Sequence, residues 1–189
     1  MERTEQDILL AFNRLIARTE IEKIRVQDIA DEAKVGRATF YRYFRDKYDV
    51  LNANYRELLD SCVLRSGNFR DLFFLLFTHA QKEWGDFHRA FKSSGVNSFE
   101  NFIAAYSRTL VERIVAGNRP GAGLSAQEEL QMDVFLGGVS GMYRKWTLGE
   151  YSLSPDEAAD ALFVLLPESL RNEWLAKESA PSSAENTLT

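Results

Sequence analysis

Residues 26–47 read VQDIADEAKVGRATFYRYFRDK, and this stretch decides the fold of the N-terminal part of the chain. Its apolar residues recur at helical spacing in two short runs, 26–33 and 37–44, which are separated by only three residues. Two short helices joined by so tight a turn form a helix-turn-helix, whose second helix can enter the major groove of DNA. We therefore predict a helix-turn-helix over this stretch.

The second of these helices divides its residues between an apolar and a polar face. Phe40 and Phe44 lie one turn apart and are predicted to pack inward. The residues left on the outer face are Arg37, Ala38, Thr39, Tyr41, Arg42 and Tyr43. Arginine can donate two hydrogen bonds to guanine, and threonine or tyrosine hydroxyls can bind phosphates or base edges. These residue types suit a helix that reads DNA.

The balance of charge limits the kind of nucleic-acid binding that is possible. The 189 residues include 23 Lys and Arg against 28 Asp and Glu, which gives a formal net charge of −5. An acidic protein of this kind does not coat nucleic acid through bulk positive charge. The window from Lys34 to Lys47 differs, because it holds five basic residues and a single acid, Asp46. This window is either a small docking face for DNA or a basic, solvated face of a helical bundle.

Helical periodicity and helix-capping residues continue through the rest of the chain. Ser154 followed by Pro155 and Glu157 is one start signal, since the serine and glutamate can bind unpaired N–H groups of a first turn. The predicted helices span 4–18, 26–33, 37–44, 47–65, 69–84, 87–94, 98–116, 126–148 and 155–176. Pro167 falls inside the last one and is predicted to kink or break it. No strand or hairpin turn is predicted, so the fold class is all-α.

Residues 26–47 resemble the DNA-binding domain of the TetR family of transcriptional regulators. The residues that carry the resemblance are Ile29-Ala30, Thr39-Phe40-Tyr41, Phe44 and Lys47. It extends over about residues 4–58 and implies a three-helix DNA-binding domain over 1–46. The resemblance also implies a larger helical domain for effector binding and dimerisation over 47–176. The Ser/Ala/Pro-rich tail, 177–189, is predicted to be disordered.

The resemblance implies which residues contact DNA. They are Arg25, Gln27, Arg37, Ala38, Thr39, Tyr41, Arg42, Tyr43 and Lys47. Lys47 corresponds to the family's phosphate-binding lysine at the start of the fourth helix, where the helix N-terminus also attracts an anion. Arg25 stands where the family usually has a capping Ser or Thr, so the second helix is predicted to lack its side-chain cap. Lys34 stands where the family usually has Gly, and a positive φ there would carry strain.

Two apolar stripes in the last two predicted helices are candidates for a dimer interface. A regulator that binds a two-fold operator needs two recognition helices about one DNA turn (~34–36 Å) apart. The predicted interface residues are Phe135, Val139, Tyr143, Trp146, Phe163, Leu166 and Leu170. Gly137, Gly138 and Gly141 lie beside the first stripe, and helical glycines so close together suggest the approach of another backbone. The alternative is that both stripes belong to the core of a single chain.

Aromatic residues crowd the middle helices and predict an effector pocket. The candidate lining residues are Phe77, Trp84, Phe102, Tyr106 and Tyr143. An aromatic-lined cavity with a few polar groups is the usual form of a small-molecule site. The alternative is that these aromatics are ordinary core residues. The family resemblance implies either a small hydrophobic molecule or a protein as effector.

Two other classes of protein remain as alternatives, a helical protein–protein adaptor and a small helical enzyme without DNA binding. The single Cys62 excludes an internal disulfide and a zinc site built on several thiolates. His79 and His88 are nine residues apart and do not share a helix face as a metal-binding pair would. We expect no enzymatic activity, no catalytic residues, no metal and no cofactor.

The expected function is that of a TetR-like, sequence-specific transcriptional regulator. We expect a homodimeric repressor that binds a double-stranded operator and is released by an effector. The N-terminus has no apolar segment, and the longest apolar run, Leu72 to Phe77, is too short to span a bilayer. We therefore expect no signal peptide, no membrane partner and a cytoplasmic location.

Overall fold

The computed structural model describes residues 2–82 and 99–174, and every regular element in these two ranges is a helix. The α-helices are α1 (Arg3–Ile16), α2 (Val26–Glu32), α3 (Arg37–Tyr43), α4 (Lys47–Arg65), α5 (Phe69–Lys82), α6 (Phe99–Asn118), α7 (Ala126–Thr147), α8 (Pro155–Leu165) and α9 (Glu168–Arg171). A short 3-10 helix, Ile21–Lys23, precedes α2. The all-α fold class is confirmed.

The first three helices pack around one apolar cluster. Ile8 and Phe12 of α1, Ile29 of α2 and Phe40 of α3 are all fully buried, as the spacing of the apolar residues predicts. Ala30, also fully buried, adds little volume between the paired helices. Burying these side chains stabilises a domain whose second and third helices have only seven residues each and would not be stable alone.

The turn between α2 and α3 has the hydrogen bonds of a Schellman motif. The N–H of Val35 donates to the carbonyl oxygen of Ala30 at 2.9 Å, and the N–H of Lys34 donates to that of Asp31 at 3.1 Å. Lys34 has a φ of 59°, in the left-handed region that glycine usually supplies. Lys34 thus has the positive φ at which a residue other than glycine carries strain.

Helix α4 connects this N-terminal part with the rest of the chain. It begins at Asp46, whose carboxylate accepts hydrogen bonds from the backbone N–H groups of Tyr48 and Asp49. It packs on α1 at one side and on α5 and α6 at the other, while α5 packs along α8 and α6 along α7. A rearrangement around α5 and α6 would therefore reach the N-terminal domain through α4.

The predicted helix bounds agree with the structure to within about two residues, with one exception. The helix predicted over 155–176 is wrong as a single element, but the predicted break at Pro167 is confirmed, because α8 ends at Leu165 and a separate short helix, α9, begins at Glu168. Proline lacks the N–H needed to continue the helix. The helix predicted over 87–94 and the tail at 177–189 lie outside the described residues. No helix within the described ranges is long and apolar enough to cross a membrane.

Candidate nucleic-acid interface

The recognition helix α3 rests on an apolar base and presents a polar face. Phe40 is fully buried and Phe44 is nearly so, which fixes the orientation of the helix. Arg37, Ala38, Tyr41 and Arg42 are exposed on its outer side, while Thr39 and Tyr43 are half-buried. Because the buried side holds the helix in one orientation, the exposed side chains are presented together, as predicted from the sequence.

The two arginines of α3 are held by neighbouring tyrosines. The Arg37 guanidinium donates to the Tyr41 hydroxyl at 3.2 Å and lies 5.5 Å from the centre of the Tyr41 ring. The Arg42 guanidinium donates to the Tyr43 hydroxyl at 3.0 Å and lies 5.0 Å from its ring centre. Cation–π contacts of this kind limit the freedom of the long arginine side chains. The arginines are thus partly ordered before any ligand is present.

One acidic residue that the sequence analysis did not select lies against this face. The Tyr43 hydroxyl donates to the Glu2 carboxylate at 2.5 Å, so Glu2, Tyr43 and Arg42 form a continuous chain of hydrogen bonds. Glu2 and Tyr43 are 41 residues apart in sequence. No local pattern could have indicated this contact.

At the start of α2, the Asp28 carboxylate binds Arg25, the residue at the N-cap position. The carboxylate accepts from the Arg25 backbone N–H at 2.8 Å and from the Arg25 guanidinium, also at 2.8 Å. The guanidinium and this backbone bond hold the pKa of Asp28 below its ordinary value. This backbone bond satisfies the N–H of Arg25 alone, so the predicted lack of a side-chain cap at Arg25 is confirmed. Gln27, the other predicted contact here, is exposed and donates to Asp31 at 2.7 Å.

Lys47, for which a phosphate contact is predicted, is half-buried at the start of α4. Its ammonium donates to the carbonyl oxygens of Glu22 at 3.0 Å and Ile24 at 2.9 Å. Burial lowers the pKa of Lys47. Two of its three donors are therefore committed to the segment between α1 and α2, and the side chain joins that segment to the start of α4.

Residues 8–53 match the model of a known family, described as bacterial regulatory proteins of the tetR family. The matched range contains α2 and α3 whole, with most of α1 and the first part of α4. The N-terminal helices of this chain are therefore similar to the DNA-binding region of the tetR family. A search of curated proteins found no match to the sequence.

Solved structures share the TetR fold over nearly the whole chain. One is "Dihydroxyacetone kinase operon activator DhaS", with a TM-score of 0.62 and 17% identity, covering 91% of this chain and 98% of that one. Another is the "fatty acid degradation regulator FadR from Bacillus halodurans", with a TM-score of 0.56 and 18% identity, covering 89% and 97%. At these identities the likeness establishes the fold alone. The family and both structures are named as regulators rather than as enzymes.

In the TetR fold of this chain, a small cavity lies between α4, α5, α6, α7 and α8. Its volume is about 60 Å³, and its lining is almost entirely apolar. Of the predicted pocket residues, Phe77 and Tyr143 line it. The Tyr143 hydroxyl donates to the Leu76 carbonyl oxygen at 3.3 Å, and burial raises the pKa of Tyr143. Ligand sites usually measure about 300–1,000 Å³, so a small molecule could enter only if the cavity widened.

Two other predicted pocket residues, Phe102 and Tyr106, lie away from the lining of this cavity. Phe102 and Tyr106 do not line it and stack on each other, with ring centres 5.7 Å apart, beneath the Arg56 guanidinium. The Tyr106 hydroxyl also donates to the Asp60 carboxylate at 2.8 Å. These contacts link α6 to α4 on one side of the bundle, and the assignment of Phe102 and Tyr106 to an effector pocket stays a prediction. Trp84 lies outside the described residues.

Most residues predicted for the dimer interface belong to the core of the single chain. The buried ones are Phe135, Tyr143, Trp146, Leu166 and Leu170. Val139 and Phe163 are half-buried against the same core. The apolar side chains of α7 and α8 that face outward are Leu130, Val134, Val164 and Leu165, each at least 65% exposed. The predicted stripes are thus the inward faces, and the exposed apolar surface lies on neighbouring faces of the same two helices.

The structure gives no support for a metal centre in the ranges that it describes. No group of three or more His, Cys, Asp or Glu side chains there is arranged to hold a metal ion. Cys62 is buried, and burial raises the pKa of its thiol, which disfavours the reactive thiolate.

Proposed function

We propose that this protein is a sequence-specific, DNA-binding transcriptional regulator that acts from the face of α3. The observation that carries the proposal is the exposed set of Arg37, Ala38, Tyr41 and Arg42 above the buried Phe40. The arginines suit base edges, the hydroxyls suit phosphates, and Ala38 is small enough to approach a thymine methyl group. A DNA-binding regulator of this kind works in the compartment that holds the DNA, so we propose a cytoplasmic location.

We propose that the active unit is a homodimer whose interface is formed by the outward faces of α7 and α8. Leu130, Val134 and Gly138 follow one another at helical spacing along one exposed face of α7. A Cβ atom built on Gly138 would meet no atom of the chain within 4 Å. Packing within the chain therefore does not require a glycine at this position. A second backbone that crosses α7 closely would require a residue without a side chain there. Dimer formation would supply two recognition helices to a two-fold operator.

We further propose that the protein is a repressor released by an effector, either a small molecule or a protein. The cavity beneath α4 supports a small-molecule effector, because Tyr55 and Leu59 of α4 form part of its wall. A ligand that enlarges it must displace α4 or its neighbours, and α4 also packs on α1 of the DNA-binding domain. Release requires that the effector bind more tightly to the displaced form than to the DNA-binding form.

Selection of bound sequences from a random duplex pool tests the DNA-binding proposal. We expect one sequence to be enriched, and its affinity, measured by fluorescence anisotropy, to fall steeply as the salt concentration rises. Arg37→Ala should weaken binding to that sequence by about tenfold or more, and binding to a scrambled duplex by less. Arg65→Ala is the matched control, since Arg65 is an exposed arginine at the far end of α4.

Two results would contradict the proposal. One is the recovery of a pool without any enriched sequence. The other is an equal loss of affinity in Arg37→Ala and Arg65→Ala, which would mean that α3 has no special part in binding.

A further inference from the structure

Glu2 stands at the N-cap of α1 but does not cap it. A short side chain at this position, such as Asp or Asn, usually accepts a hydrogen bond from an N–H group of the first helical turn. Here the Glu2 side chain makes no such bond. Its only described partner is on another helix, because it accepts the hydrogen bond of the Tyr43 hydroxyl at 2.5 Å.

The contact places a negative charge within the DNA-facing surface. Tyr43 in turn accepts a hydrogen bond from Arg42 at 3.0 Å, so the Glu2 carboxylate ends a short chain that begins at a guanidinium. All three residues are close to solvent: Glu2 and Arg42 are exposed, and Tyr43 is half-buried. The carboxylate is therefore held on the protein by contacts that an incoming anion can replace.

We propose that Glu2 is an affinity-determining residue of the DNA interface, occupying the acceptor position that a DNA phosphate takes at the Tyr43 hydroxyl. The inference rests on the proposed function of α3. A carboxylate and a phosphate each offer an anionic oxygen to the Tyr43 hydroxyl, and charge-assisted hydrogen bonds of this kind are stronger than neutral ones. DNA must displace Glu2 before the Tyr43 hydroxyl can bind the backbone.

This arrangement affects affinity rather than sequence preference. The competing carboxylate belongs to the same chain, so its effective concentration at Tyr43 does not depend on the concentration of protein or DNA. Phosphates are present in every sequence, so the competition weakens binding to operator and non-operator DNA by the same factor. It agrees with the acidic character of the whole chain, which also disfavours non-specific binding.

Four forms of the full chain test the proposal: wild type, Glu2→Gln, Tyr43→Phe and the double variant. Binding is measured by fluorescence anisotropy with a labelled random-sequence duplex and with a selected duplex at several salt concentrations. Glu2→Gln should bind both duplexes about three- to tenfold more tightly, because the competing charge is gone. The slope of log K against log salt should also steepen by up to about one per subunit. Asp7→Asn, which removes an exposed acid of the same helix, is the control and should change affinity by less than about twofold.

The Tyr43→Phe background separates direct competition from general repulsion between a carboxylate and DNA. Without the hydroxyl that holds Glu2, the gain from Glu2→Gln should shrink to less than half of its wild-type value. An unchanged gain in DNA affinity from Glu2→Gln in that background would overturn the proposal. Equal gains in affinity from Glu2→Gln and Asp7→Asn would also overturn it, as would the absence of any gain when the wild-type protein itself binds DNA. If no form bound either duplex even at low salt, the proposed function itself would fail.

Discussion

Lys47 is bound by the protein in a way that its position at a helix N-terminus does not reveal. The resemblance to the TetR family assigns it a phosphate, yet its ammonium reaches the carbonyl oxygens of Glu22 and Ile24. Glu22 belongs to the short 3-10 helix that precedes α2, and Ile24 follows that helix directly. Lys47 therefore connects the segment between α1 and α2 to the start of α4. Through this segment it helps to fix the position of α2.

Replacing Lys47 by methionine should destabilise the protein. The change keeps the length of the side chain but leaves two carbonyl oxygens without their charged donor, which costs about 1–2 kcal/mol. For a chain of this size the melting temperature should fall by about 2–8 °C in thermal unfolding followed by circular dichroism. Lys145→Met, at an exposed site on α7, is the matched control and should leave it unchanged. If Lys47→Met were as stable as wild type but bound DNA more weakly, the result would contradict the structural role and support the predicted phosphate contact.

At the scale of the elements, two helices of this protein end in the same way with different residues. Gly149 follows α7 with a φ of 79°, and the N–H of Glu150 donates to the Lys145 carbonyl oxygen at 2.9 Å. Lys34 follows α2 with nearly the same backbone and the corresponding hydrogen bonds. Glycine adopts this conformation freely, whereas lysine pays a steric penalty because its Cβ approaches the following carbonyl oxygen.

Lys34→Gly should therefore stabilise the helix-turn-helix. Removing the Cβ relieves about 1 kcal/mol or more of strain, and the greater freedom of glycine in the unfolded chain takes back part of it. We expect a net gain of about 0.5 kcal/mol, seen as a small rise in the denaturant midpoint at constant slope. Lys34→Ala is the control, since it removes the charge and keeps the Cβ. Equal gains in the two variants would mean that charge, rather than backbone strain, sets the stability of this turn.

The features of the fold that could be predicted from the sequence are those set by residues close together in the chain. The starts of α4, α7 and α8 were predictable because their caps are local, with an acceptor side chain bonding N–H groups two or three residues further on. The polar face of α3 was predictable for the same reason. The bonds of Lys47 and Glu2 were not, because their partners lie 23 to 41 residues away in sequence. Only the packing of the helices brings these groups together.

In the whole molecule, the sequence pattern of α7 and α8 does not distinguish their inward faces from their outward ones. Both helices have apolar residues on more than one face, and periodicity identifies a stripe without showing what covers it. The predicted stripe of α7, with Phe135 and Trp146, is buried in the chain itself, while Leu130 and Val134 remain exposed. Exposed apolar side chains grouped in this way often mark a protein–protein interface.

Gly138→Leu should convert the proposed homodimer into a folded monomer. Within one chain the new side chain meets no atom near its Cβ, and leucine favours a helix over glycine by about 0.8 kcal/mol, so the single chain should become slightly more stable. Only a second chain lying close to Gly138 would be obstructed. Sedimentation analysis should give twice the 21.6 kDa chain mass for wild type and the chain mass for the variant. Leu64→Glu, at an apolar site on α4 that is 82% exposed, is the control and should remain dimeric. Because a monomer presents only one recognition helix to the operator, Gly138→Leu should also bind the operator more weakly. If Gly138→Leu remained dimeric, the interface could not lie on this face of α7.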